Sequence, residues 1–215
     1  MTEPDVTLTD YGLTLLCSWF AWTLGKQTSE SHHFRMLWVV FFGSIAAATL
    51  AGGTVHGFFL GEATLGHRIL WPVTLLAIGL TAASAWILTG LLFSTSPSSV
   101  KKWALFAGVG FLIYAAVVIF YSQQFYVFIL NYMPAMVALL AASIHKFAKT
   151  RDHHFLFLAL GIFVSFMAAY IQQAGLGIHP NYFNHNSTYH LVQAIGLLIL
   201  FKGANGLLRG ERTIQ

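Results

Sequence analysis

The chain has 215 residues, of which 57% are hydrophobic and only 8% charged, with a mean hydropathy of +0.69. A water-soluble domain carries about 25% charged residues, so this composition excludes one and points to a bilayer. Seven spanning helices of about 20 residues would use about 140 positions and leave only loops and tails, so function must reside inside a helix bundle or at its mouths.

Seven apolar stretches follow in chain order. The first, about 8–24, comes after an acidic start (Glu3, Asp5, Asp10) rather than the basic region of a secretory signal, and is expected to be a retained helix. The second runs over about 36–60 and the third over about 69–93, with Trp71 and Pro72 in its first turn, where proline is tolerated. The fourth lies near 103–121. A polar turn at Ser122, Gln123 and Gln124 leads to the fifth, about 125–148, whose Asn131 and Pro134 suggest a kink or a polar lining. The sixth covers about 155–171 and the seventh about 187–204. The expected fold is a single all-α domain over 1–215, a seven-transmembrane helix bundle.

Short cytoplasmic loops are enriched in Lys and Arg, so their placement gives the sidedness. Lys26 and Arg35, Lys101 and Lys102, Lys146, Lys149 and Arg151, and Lys202, Arg209 and Arg212 all fall on one side, and Arg68 alone on the other. The amino terminus is therefore expected outside and the carboxyl terminus in the cytoplasm, in a multi-pass protein of a bacterial inner (cell) membrane. These short clusters do not make a nucleic-acid surface.

Cys17 is the only cysteine, so any metal site must use histidine and oxygen ligands. Of ten histidines, His32, His33, His145, His153 and His154 accompany the basic loops and are expected among solvent and headgroups. His56, His67, His179, His185 and His190 belong to the opposite side and could converge. His56 lies below the expected membrane surface, where ionisable groups face a cavity or a partner. Gly52 and Gly53 before it either permit close packing or make space.

The segment from His185 to Gln193 is the richest polar stretch and opens the seventh helix, with Ser187 as an expected cap. Asn186 and His190 share a face, whereas His185 and His190 are rotated by about 140° on a regular helix. His185 can then serve as either a ligand or a loop residue. Zinc suits three imidazoles with an open position for water. Glu62 and His67 are the acid–base candidates nearby. Tyr170, Gln172, Gln173, Tyr189 and Gln193 could line an amphipathic pocket.

Gly-Thr-Val-His56 in the second span and Thr-Tyr-His190 in the seventh resemble the CREST superfamily of seven-helix membrane hydrolases, which includes alkaline ceramidases and the progestin and adiponectin receptor proteins. The resemblance implies zinc held by His56, His190 and His185, with Glu62 or His67 shuttling protons and Asn186, Tyr189 and Gln193 on the substrate side. It also implies membrane lipids as partners and hydrolysis of a lipid amide or ester near the outer leaflet. The chain departs from that pattern at Gly52, where the family has serine, at Asn186, where it has the first histidine of a pair, and at His67, where it has an acid. The alternative is a non-catalytic bundle, receptor-like or transporter-like, that binds a small molecule, or haem between His56 and His190.

Overall fold

Long apolar runs can satisfy their backbone groups without water only by coiling, and the computed structural model is helical throughout, with no strand among the described residues 1–28, 31–94, 96–179 and 182–210. Seven helices occur in order: α1 (Pro4–Gly25), α2 (His32–Phe58), α3 (Leu65–Phe93), α4 (Pro97–Phe120), α5 (Phe125–Thr150), α6 (His153–Gln173) and α7 (His185–Gly210). All but α1 are long and apolar enough to cross a membrane. In α1 the apolar run is diluted by Asp5, Asp10 and the threonines at 7, 9 and 14.

Helix ends follow local chemistry. Pro4 and Pro97 occupy the first turns of α1 and α4, where the missing N–H has no helical partner to lose. Thr64, Ser96 and Asp152 cap α3, α4 and α6, their side-chain oxygens accepting from the backbone N–H of His67, Ser99 and His154. The Thr64 cap starts α3 a turn before its apolar run, so Pro72 sits inside the helix rather than in its first turn.

Helix α1 packs on α2 and α7, α2 on α3, α3 on α5, α5 on α6, and α6 on α7. These contacts close a six-helix ring. Helix α4 stands outside it, packed on α3, and buries only Ala107, Tyr114 and Val118. Leu105, Leu112 and Phe120 of α4 are 70%, 67% and 75% exposed, which suits a lipid-facing surface.

At the end where α1 finishes and α2 begins, the ring is filled by large side chains. Phe20 stacks on Phe201 with centroids 4.2 Å apart, Phe42 meets Phe20 edge-on at 5.2 Å, and Trp38 contacts Phe41 at 5.5 Å. Leu24, Leu88 and Leu158 complete this core with no exposure. Above it, Gln27 donates to Asn205 and accepts from Arg35 at its carbonyl, tying α1, α2 and α7 together. His154 differs from its expected exposure. Its ring lies against Gly206 of α7 and its Nδ1 is buried, because α6 and α7 pack too closely there to leave the side chain outside. Arg212 lies outside the described residues.

Candidate functional site: a polar-topped cavity

The other half of the ring is hollow. Along α2 the sequence passes from Trp38, Phe41 and Phe42 to Ala48, Thr49, Ala51, Gly52 and Gly53, and small residues cannot reach the ring axis. A cavity of about 780 Å³ results. It is lined by the amino-terminal halves of α1, α3, α5 and α7 and the carboxyl-terminal halves of α2 and α6. Leu13, Ile45, Leu75, Ile78, Met133 and Met136 form its apolar wall, and Trp71, Phe128 and Tyr132 add rings. Its volume is within the range of sites for single drug-sized molecules.

Polar groups gather on one side. Val6, Asp10 and Leu13 recur at helical spacing, so one face of α1 presents the Asp10 carboxyl to the cavity. Its Oδ1 lies 3.3 Å from His190 Nε2, and the two side chains are 7% and 10% exposed. The other ring nitrogen, His190 Nδ1, is 2.9 Å from the Thr9 hydroxyl. Burial makes both contacts obligatory, because an unpaired polar atom there costs about 1–3 kcal/mol. His56 also lines the cavity, and its Nδ1 lies 2.5 Å from Glu3 Oε2 at the start of α1.

Close approach of α1 and α2 makes the Glu3–His56 pair possible. A Cβ on Gly53 would come within 2.7 Å of Asp10 Cβ, so a side chain there would push α1 away. Gly52 faces the cavity instead, where a Cβ would meet Thr74 Cγ2 at an ordinary 3.5 Å. The two glycines therefore do both things that the sequence left open, one each.

The start of α7 is held from several directions. Asn184, not Ser187, supplies the cap: its Oδ1 accepts from the N–H groups of Asn186 and Ser187 at 2.8 and 3.2 Å. Ser187 lies inside the first turn and donates to Asp5 Oδ2 at 2.9 Å, while the Asn184 N–H donates to the same oxygen at 3.2 Å. Gln172 Nε2 donates to Asn186 Oδ1 at 3.0 Å and joins α6 to α7.

The sequence-expected residues divide cleanly. His56, His185, His190, Asn186, Tyr189 and Gln193 all line the cavity, as do Tyr170, Gln172 and Gln173. Glu62 and His67 do not. Glu62 is exposed in the α2–α3 loop, and His67 Nδ1 donates to the Phe59 carbonyl at 3.2 Å while the ring stacks on Trp71. His179 is bridged through its backbone to Phe183. Asp10, Thr9 and Glu3 escaped the sequence reading, which took the three acids of the amino-terminal segment as an exterior flank. The available signal was that Asp10 lies inside the first apolar run, where an ionisable group needs a partner.

The donor set does not fit zinc. Among the described residues no three His, Cys, Asp or Glu side chains are grouped to hold a metal ion. Both His190 nitrogens are engaged, by Thr9 and Asp10, so neither is left for zinc or for a haem iron. His56 and His185 alone do not make a structural or catalytic zinc site, which needs three or four protein ligands.

The chain belongs to a family of unknown function, DUF6962, matched over residues 6–209. No curated protein and no solved structure matches it. Nothing in these comparisons links the chain to the seven-helix hydrolases that its sequence resembles.

Proposed function

We propose that this is a seven-helix membrane protein, amino terminus outside, that binds a small amphipathic molecule in the outward half of its helix ring. One observation carries the reading: a cavity of about 780 Å³, largely apolar, with Asp10, His190, His56, Asn186 and Gln193 gathered on one side. Such an arrangement grips a molecule with an apolar body by burial and orients its polar end by hydrogen bonds. Sidedness rests on the basic residues: among the described residues nine lie toward the filled end of the ring, against Arg68 at the hollow end. Phe20 of α1, Trp38, Phe41 and Phe42 of α2 and Phe201 of α7 are buried together across the filled end, which favours a receptor-like or enzyme-like pocket over a channel.

The zinc-hydrolase expectation is not carried into this reading, because no three candidate ligands are grouped among the described residues and both His190 nitrogens already face Asp10 and Thr9. The test is occupancy. Full-length protein in lipid nanodiscs is examined by native mass spectrometry for a co-purifying small molecule, beside Gly52→Phe, whose ring would fill the cavity. Retention of a ligand by the wild type and its loss from the variant supports the proposal; an empty wild type that no amphipathic additive stabilises against heat would sink it.

A further inference from the structure

Among the described residues, Asp10 is the only carboxylate lining the cavity, and neither Lys nor Arg lines it. Its Oδ1 faces His190, but no hydrogen bond reaches Oδ2 among the described residues. That oxygen lies beside Gly52, which also lines the cavity: a Cβ there would be 3.9 Å from it, and Gly52 has none. The space a side chain would have taken is open beside a carboxylate oxygen with unused acceptor capacity.

We infer that the ligand carries a cationic amine on an apolar body, with its N–H donors seated on Asp10 Oδ2 and its body along the wall formed by Leu75, Ile78, Met133 and Met136. The inference rests on the cavity reading above and narrows it to a ligand class. Three independent features converge. An ammonium supplies the donors that Asp10 Oδ2 lacks, whereas a fatty carboxylate or phosphate would face Asp10 with no Lys or Arg in the lining to compensate. Trp71, Phe128 and Tyr132 bring ring faces to the same chamber, and these attract ammonium groups. The hollow end of the ring also has the acids Glu3, Asp5, Asp10 and Glu62 against Arg68 and the Met1 amino group, so its field favours cations over anions. His56 does not offset this charge inside the cavity, since it is paired with Glu3.

Three probes that share one body and differ in head group test the idea: 4-phenylbutylamine, 4-phenylbutanol and 4-phenylbutyrate. Each is titrated calorimetrically into the full chain in phosphatidylcholine nanodiscs, with empty nanodiscs subtracted. The amine is expected to bind tighter than the alcohol by on the order of ten-fold or more, the gain typical of a charge-assisted hydrogen bond, and the carboxylate weakest. Asp10→Asn is expected to abolish the preference, so that amine and alcohol bind the variant with similar affinity. Equal binding of amine and alcohol to the wild type, a comparison that needs no variant, would overturn the inference while leaving the cavity reading in place. Binding of none of the three would overturn both.

Discussion

The two halves of the ring are made from the same helices and differ in what occupies the axis. At the basic end Phe20, Trp38, Phe41, Phe42 and Phe201 meet across it. At the other end α2 offers alanine, threonine and glycine, the axis is empty, and Asp10, His190 and His56 stand at its edge. Both halves come from the same apolar helices, so the hydropathy of a helix does not distinguish them. Side-chain volume does. The filled half anchors the ring, and the hollow half can hold polar groups because the anchoring is done elsewhere.

Truncation is the sharpest way to break that contrast. Phe20→Ala removes a fully buried ring and is expected to cost about 3–5 kcal/mol, read as a fall in thermal or denaturant unfolding midpoint in one fixed detergent. Phe128→Ala, which only enlarges an existing cavity, should cost roughly a third of that or less. Equal losses would mean that the hollow half is collapsed in solution.

A smaller effect is expected at the polar edge. His190→Ala leaves the Asp10 carboxyl buried without its partner and should destabilise by about 1–3 kcal/mol, whereas adding Asp10→Leu to it should recover part of the loss. A double-mutant cycle giving strictly additive costs would show that the two groups do not interact. Glu3→Gln keeps a hydrogen-bonding partner for His56 and is expected to lower stability by less than His190→Ala in the same assay.

The smallest effects concern what the cavity excludes. Glu62→Gln, on the exposed loop, should leave both the unfolding midpoint and ligand retention unchanged. Chelation by EDTA should change neither, given that His190 has no nitrogen free for a metal. A drop in midpoint on chelation, with zinc found by elemental analysis, would restore the metal reading and require the His190 contacts to rearrange.

Much of the architecture was legible because it is local. Each span is a largely apolar run, and the observed helices begin before those runs where a cap allows it: α3 at Leu65 after Thr64, and α6 at His153 after Asp152. The polar run from His185 to Gln193 pointed to the site because so many hydrogen-bonding groups in an apolar chain need somewhere to converge, and His185, Asn186, Tyr189, His190 and Gln193 line the cavity. The shrinking of side chains along α2 was equally visible, but its meaning depended on which neighbours failed to fill the gap. Glu62 and His67 were drawn in by proximity along the chain to His56, and proximity along a loop does not bring side chains below the rim.

Taken alone, the sequence determined a membrane protein of seven helices with its basic residues at one end, because hydropathy, backbone satisfaction and charge are properties of each segment separately. Only the tertiary structure decided that α4 is left outside the ring, that Gly53 brings α1 against α2, and that Asp10 and Thr9 meet His190 some 180 residues away. Those outcomes depend on which surfaces fit one another. A carboxyl and an imidazole separated by almost the whole chain become a pair only when the helices between them have closed the ring.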